Sequence, residues 1–390
     1  MKIAVCLPSF NEADNIQNIT KVIDQGLSLF SATHPDMYAE IINVDSNSSD
    51  GTANLFLETK TKYPKRSIVI NKAAGKGKNI FEFCSYAVSH NIDFCLTIDS
   101  DITSIAPEWV TILLTPLVEK GATYVTPIYE RSRFESSSTN HFAFPLIYAL
   151  YGKIIRQPIA GDFSFTRQVA QAFASSDLRT NESIQRYGID VFMTITAIGT
   201  RGTIAQVDLQ KKIHAPSFNK LEYMFPQIAA SLLLTASSVL FSKNIVKKKK
   251  TKANILPSLN FAHKESAKAM RENALTILKS SRNNDWANTR LASKFLTIAE
   301  REIATNGSSL LIPWTDLLSC WIEYFLKPSL TTKEAERAGN ELLPFFVLRA
   351  TNFWFWAETV DVESVELAIT KQAKILREKL SKVRSNARYK

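Results

Sequence analysis

Cysteine is scarce and carries no pattern. The chain has four, Cys6, Cys84, Cys95 and Cys320, at spacings that fit no metal-binding motif. Three lie in apolar runs, so they read as buried free thiols of a reducing compartment. A Gly-x-x-x-x-Gly-Lys-Ser/Thr loop is absent, which excludes a Walker-type phosphate cradle. There is no internal repeat and no low-complexity tract. Residues 1–10 run directly into a strand, leaving no signal peptide. The most apolar later stretch, residues 228–241, is shorter than a membrane span and carries Ser231, Thr235, Ser237 and Ser238, so it reads as a buried helix. These features together lead us to expect a cytoplasmic protein with no transmembrane segment.

What is present is a globular composition. At 390 residues with 45% hydrophobic and 22% charged, the chain can bury a large core as two domains, or as one domain with an appendage. A formal net charge of +10 favours anionic partners such as nucleic acid, a membrane surface or phosphorylated small molecules. Much of the excess sits in Lys247-Lys248-Lys249-Lys250 and in residues 371–390, which also read as solvated linker and helix surface.

The first third alternates strand and helix. Residues 2–8, 41–44, 67–70 and 94–98 are apolar or β-branched runs that predict strands of a sheet covered on both faces. Helical periodicity follows the first three, with Thr52 or Asp50 placed to cap the helix near Ala53. The predicted fold class is α/β, a doubly wound, mostly parallel sheet that binds ligands at the strands' carboxyl edge. The loops at that edge hold the chemistry. Asp99-Ser100-Asp101 ends the fourth strand. Alternation sends Asp99 and Asp101 to one face and Ser100 to the other. Two hard oxygen donors there suit Mg²⁺ or Mn²⁺. Asp45 ends the second strand and is placed to accept from a base or ribose. Lys76, between Gly75 and Gly77 at a helix start, is placed to meet a diphosphate.

These residues resemble a known family. Leu7-Pro8-Ser9-Phe10-Asn11-Glu12, Val44-Asp45-Ser46-Asn47-Ser48-Ser49-Asp50-Gly51-Thr52, Gly75-Lys76-Gly77-Lys78 and Asp99-Ser100-Asp101 are similar to the GT-A glycosyltransferases of the family-2 type. Arg156-Gln157-Pro158-Ile159-Ala160-Gly161-Asp162-Phe163, Tyr187-Gly188-Ile189-Asp190 and Asp208-Leu209-Gln210-Lys211-Lys212-Ile213-His214 narrow the resemblance. They are similar to the retaining glucosyl-3-phosphoglycerate and mannosyl-3-phosphoglycerate synthases, with mannosylglycerate synthase more distant. The resemblance covers about residues 1–225. Asp162 stands where the synthases have Glu.

The resemblance implies a GT-A, Rossmann-like fold and a metal-dependent, retaining hexosyl transfer. The donor would be a UDP- or GDP-hexose and the acceptor a small anion such as 3-phosphoglycerate or glycerate. Donor-binding candidates are Pro8, Ser9, Asn11, Glu12, Asp45, Ser46, Lys76, Asp99, Ser100 and Gly161. Lys76, Asp162 and Asp190 are the candidate catalytic residues. The metal would be held by Asp99, Asp101 and His214. Arg131 and Arg133 form a guanidinium pair suited to an anionic acceptor. Asp190 also reads as a helix N-cap. An inverting transfer to a lipid or polysaccharide, with Asp190 as base, is the alternative within enzymes. A non-catalytic nucleotide- or nucleic-acid-binding protein is the alternative outside them, although no nucleic-acid partner is expected.

Beyond residue 218 helical periodicity dominates. Helices are predicted over 264–280, 288–304, 313–325, 334–347 and 362–382, and residues 142–155 earlier in the chain also read as an apolar helix. The domains are therefore expected as 1–225 and 226–390. The aromatic run at residues 342–356 reads either as the core of a helical domain or as a dimer interface or membrane dock.

Overall fold

A computed structural model describes residues 1–71, 75–130, 135–213, 220–241, 264–280, 293–298 and 311–381. The expected guanidinium pair Arg131 and Arg133, the expected metal ligand His214 and most of the helix predicted over 288–304 lie outside them. Chain contacts divide the protein into two units. The first comprises residues 1–129 and 157–216, the second residues 130–156 and 217–390. Residues 130–156, expected within a first domain of 1–225, thus group with the later helices.

The first unit is built on one seven-stranded sheet in the order β3-β2-β1-β4-β6-β5-β7. Its strands are β1 (Lys2–Ser9), β2 (Tyr38–Asp45), β3 (Lys65–Val69), β4 (Phe94–Thr97), β5 (Tyr124–Glu130), β6 (Phe163–Thr166) and β7 (Ile204–Lys211). All but Lys2 of β1 is buried. It lies between β2 and β4 and is parallel to both, which is why it reads as an unbroken apolar run. The helices are α1 (Ile16–Thr33), α2 (Thr52–Glu58), α3 (Lys76–Ser89) and α4 (Glu108–Val118), then, after residues 130–156, α6 (Arg167–Ala174), α7 (Glu182–Gln185) and α8 (Ile189–Gly199). Ile16, Ile19, Ile23 and Leu27 of α1, Phe83 of α3 and Leu113 of α4 are fully buried in the sheet's core.

β6 departs from the parallel pattern and was not expected. It runs antiparallel to both β4 and β5. Thr97 pairs with Phe163, so the residues beyond the end of β4 face those before the start of β6. That reversal brings the Asp99 turn and the Gly161-Asp162 turn together.

In the second unit α5 (Phe144–Tyr151) follows a π-helical turn at Thr139–Ala143, and Gly152 closes it in the left-handed conformation. The single helix expected over 142–155 is therefore shorter and begins as a wide turn. The later helices are α9 (Leu221–Phe241), α10 (Lys264–Ser280), α11 (Leu311–Phe325), α12 (Thr332–Ala357) and α13 (Val362–Lys379). Thr331 and Glu334 form a capping box at the start of α12, satisfying two of its orphan N–H groups. Phe345, Phe346, Phe353 and Trp354 are buried, so the aromatic run is core. Helix α9 spans 21 residues and is long and apolar enough to cross a membrane, with 67% of its most apolar window buried in the protein. Its length corrects the expectation of a stretch too short to span.

A polar seam ties the π-helical turn to α11–α13. The carbonyl of His141 accepts from Trp314 Nε1 (2.9 Å) and that of Asn140 from Gln372 Nε2 (3.2 Å). A π turn widens the usual ladder and leaves such carbonyls to outside donors. Arg156 donates through Nη2 to Glu366 (3.0 Å) and through Nη1 to Asn140 (2.9 Å).

Candidate active site

Two loops beyond β1 and β2 are laced side to side. The N–H groups of Asn11, Glu12 and Ala13 donate to Ser48 Oγ, Thr52 Oγ1 and Asp50 Oδ2, and Ser49 N–H donates to Asn11 Oδ1. Asn11 and Asn47 take positive φ, at 56° and 62°, a conformation Asn tolerates better than most residues. Under this lacing lies a buried layer. Asp45 Oδ1 accepts from Ser48 N–H, and Oδ2 accepts from the hydroxyls of Ser9 and Ser48. Ser46 donates to Asn79 Oδ1, and Ser100 donates to the carbonyl of buried Pro8. The side chains of Ser9, Asp45, Ser46 and Ser100 therefore hold the loops rather than face outward. Their polar side-chain groups are thus engaged inside the protein, at the carboxyl ends of the strands where donor contacts are expected. Asn11 and Glu12 remain nearer the surface, Asn11 exposed and Glu12 half-buried.

The remaining candidates converge. Lys76 Nζ lies 2.6 Å from Asp99 Oδ1 and 3.0 Å from Asp190 Oδ1. Lys212 Nζ lies 3.0 Å from Asp99 Oδ2, 2.6 Å from Asp162 Oδ2 and 2.8 Å from the carbonyl of Ala160. Asp99 N–H donates to Asp162 Oδ1 (2.8 Å), and the Tyr129 hydroxyl donates to Asp162 Oδ2. Three carboxylates thus share two ammonium groups. Burial alone would raise Asp99, but Lys212 and Lys76 outweigh it and hold the carboxyl well below its ordinary value. Asp162 and Asp190 move the other way: burial raises both, and the Asp99 charge adds to it. For Lys76, burial favours the neutral amine, but Asp190 and Asp99 override it and raise its pKa.

Backbone packing fixes the cluster. A Cβ at Gly77 would overlap the carbonyl of Ile184, and one at Gly75 would crowd Gln185 and Arg186. Glycine thus lets the start of α3, carrying Lys76, dock against the segment that leads into α8 and Asp190. Asp190 is not the N-cap of that helix. Gly188 occupies the cap position, and Asp190 lies in the first turn with its carboxylate toward Lys76. Its Oδ1 is buried and paired with Lys76 Nζ at 3.0 Å.

The sequence-level expectations missed Lys212 and Tyr129. Lys212 stands in the Asp208–His214 stretch that carried part of the resemblance. Leu209 is buried, so plain alternation would turn Lys211 inward, but Gln210, at a φ of 58°, breaks the alternation, and Lys211 is exposed while Lys212 is buried. Asp101 is half-buried, and its carboxylate has no partner among the described residues. No three His, Cys, Asp or Glu side chains gather as a metal site among those residues. Two carboxylates nevertheless fit a hard divalent cation whose remaining ligands are waters and substrate phosphate.

Comparison with known proteins gives this arrangement its class. Residues 4–178 match the profile of the family "Glycosyl transferase family 2". Residues 4–178 are a family-2 glycosyltransferase domain. Its mixed, mostly parallel sheet is GT-A-like, and the cluster draws Lys76, Asp99 and Asp162 from within the domain and Asp190 and Lys212 from beyond it. Dolichol-phosphate mannosyltransferase of Pyrococcus furiosus is 23% identical over 235 residues, 57% of this chain and 60% of that protein. The chain thus spans about 60% of the length of this curated relative. Among solved structures, glucosyl-3-phosphoglycerate synthase from Mycobacterium tuberculosis with Mn²⁺, UDP and glucosyl-3-phosphoglycerate is 25% identical. The match covers 60% of this chain and 80% of that one, at a TM-score of 0.47. The same enzyme with Mg²⁺ and UDP is 24% identical over 60% and 79% of the two chains, at a TM-score of 0.46.

Proposed function

We propose that this protein transfers a hexosyl group, glucose or mannose, from a UDP- or GDP-linked donor to a small anionic acceptor such as 3-phosphoglycerate or glycerate, with retention of configuration. The observation that carries the reading is Lys76 held between Asp99 and Asp190, at 2.6 and 3.0 Å, at the start of a helix on the family-2 domain. A fixed ammonium beside a helix N-terminus stabilises the negative charge that develops on a departing diphosphate. Asp99 and Asp101 would hold Mg²⁺ or Mn²⁺, with His214 as the third ligand implied by the sequence resemblance. The ion would neutralise the diphosphate when bound. The Asp190 carboxylate, held by Lys76, suits a sugar or acceptor hydroxyl as a further donor. Gly161 and Asp162 would line the hexose, and Arg131 and Arg133 would meet the acceptor anion. The protein is proposed to act in the cytoplasm.

Incubating the protein with UDP- and GDP-linked glucose and mannose, Mg²⁺ or Mn²⁺, and 3-phosphoglycerate or glycerate tests this reading. A glycosylated acid whose anomeric proton coupling matches that of the donor is the expected product. Donor consumption with no transfer to either acid removes the acceptor assignment.

A second reading is favoured by α9, which is long and apolar enough to cross a membrane. In it the acceptor is a lipid phosphate and the configuration inverts, with Asp190 as general base. Transfer to a polyprenyl phosphate in detergent, giving the opposite anomer, would establish it.

A further inference from the structure

Lys212 has no part in the chemistry just described, yet it is the more enclosed of the two ammonium groups, its side chain 2% exposed against 25% for Lys76. Removing an ammonium from water costs several kcal/mol unless close, well-directed acceptors offset it. Here three oxygens surround Nζ within 3.0 Å, and it also stands over the Tyr129 ring, 5.2 Å from the centroid.

The backbone on both sides of Lys212 is pinned to the turn that follows the Asp99-Ser100-Asp101 triplet. Ile213 N–H donates to Ser104 Oγ (2.8 Å), Ser104 Oγ donates to the Lys211 carbonyl (3.1 Å), and Thr103 N–H donates to the Ile213 carbonyl (3.0 Å). Gln210 reaches this bend with φ of 58°, a conformation that a non-glycine residue keeps where its surroundings enforce it. The exit of β7 is thus fixed to the acid triplet by four residues whose shared effect is to deliver one ammonium between Asp99 and Asp162.

The two lysines divide the work. Lys76 is partly open and takes Asp99 by Oδ1. Lys212 is enclosed, takes Asp99 by Oδ2 and joins it to Asp162. Without Lys212, two carboxylates joined by the 2.8 Å Asp99 N–H to Asp162 Oδ1 contact would face each other with no cation between them.

We propose that Lys212 is a positioning residue of the transfer site, a resident cation that orients Asp99 and Asp162 toward the donor sugar. This rests on the hexosyl-transfer reading above. Lys212 is enclosed by Asp99, Asp162 and the Ala160 carbonyl, so its loss should act on kcat more than on donor KM.

The variants K212A and K212M are assayed with the UDP- or GDP-hexose that the wild type consumes, with Mn²⁺. Both are expected to lose about 100-fold in kcat while donor KM stays within about fivefold. Propylammonium replaces the deleted part of the side chain, and adding it to K212A should restore kcat about tenfold, saturably. 1-Propanol should restore nothing. K212M keeps the volume of the stem and guards against collapse of the site. A kcat within threefold of wild type in either folded variant overturns the proposal. So does equal rescue by propanol, a folded K212A that propylammonium leaves inactive, or failure of both variants to fold by circular dichroism. A wild type that consumes no sugar nucleotide instead overturns the transfer reading, and this proposal with it.

Discussion

Gly161 stands directly across from Asp99, and the carboxylate of Asp99 fills the space where a side chain at position 161 would be. The antiparallel register sets this up. Thr97 pairs with Phe163, which carries Asp99 opposite Gly161 two residues further along. Gly161 has φ of 86°, and a Cβ there would overlap Asp99 Oδ2. The glycine is thus needed twice, once for its backbone and once for its emptiness.

Replacing Gly161 by alanine should therefore displace Asp99 from both lysines. We expect about 2–4 kcal/mol of lost stability, from positive-φ strain and the forced movement of a buried carboxylate. Donor turnover should fall below detection. Urea unfolding of G161A against wild type measures the first effect, and a near-normal midpoint would show that the turn relaxes.

The two acids of the triplet should behave oppositely toward stability. Asp101 is half-buried without a protein partner among the described residues, so D101A should melt within about 2 °C of wild type while requiring far more metal for activation. Asp99 serves both lysines. D99N leaves Lys76 with Asp190 and Lys212 with Asp162, so it should cost about 1–3 kcal/mol, the usual range for weakening buried hydrogen bonds to charged groups. Thermal melts, with Mn²⁺ titration of folded D101A, test the pair.

Lys76 should matter chiefly for the leaving diphosphate. K76M is expected to lower kcat/KM for the donor by about 10²–10³, most of it in kcat, as for a charge met in the transition state. Steady-state kinetics with saturating metal would show it. A pure rise in KM would assign Lys76 to ground-state binding.

Asp190 should give the pH profile its acid limb. Burial, opposed by Lys76 and reinforced by Asp99, raises its carboxyl above the ordinary value. Activity that needs the carboxylate is then present above the raised pKa and lost as pH falls through it. The acid limb should lie above the usual aspartate range, near 3.8. In D190N that limb should vanish, with kcat down about 10²–10⁴ at every pH. The sign for stability is the reverse. A raised folded pKa contributes most at low pH and is lost as pH rises, so D190N should not be less stable at pH 7.

The parts of this site that were legible in sequence were those written as contiguous signals. Apolar runs ending in polar loops marked β1 to β4, and the loops supplied Lys76, Asp99 and Asp101. β6 was not legible, because Phe163–Thr166 has only four residues and its pairing partner lies 66 positions away. Lys212 was hidden for a related reason. Two adjacent lysines at a strand end look alike until the sheet shows which one turns inward. The donor roles expected of Ser9, Asp45, Ser46 and Ser100 placed these residues correctly at the strand ends. Only the hydrogen bonds show that their polar atoms are already committed within the loops.

The interleaving of the two units bears on how the chain is made. Phe144 and its neighbours leave the ribosome early, but Phe353, Val365 and Ile369, which close over Phe144 in one cluster, are about 200 residues behind. At 5–20 residues per second that delay is roughly 10–40 s. Meanwhile β6 and β7, also made later than residues 130–156, must find their places in the first sheet. The nascent protein therefore carries an apolar segment that its own unit cannot cover until those later helices emerge, a natural client for a holding chaperone.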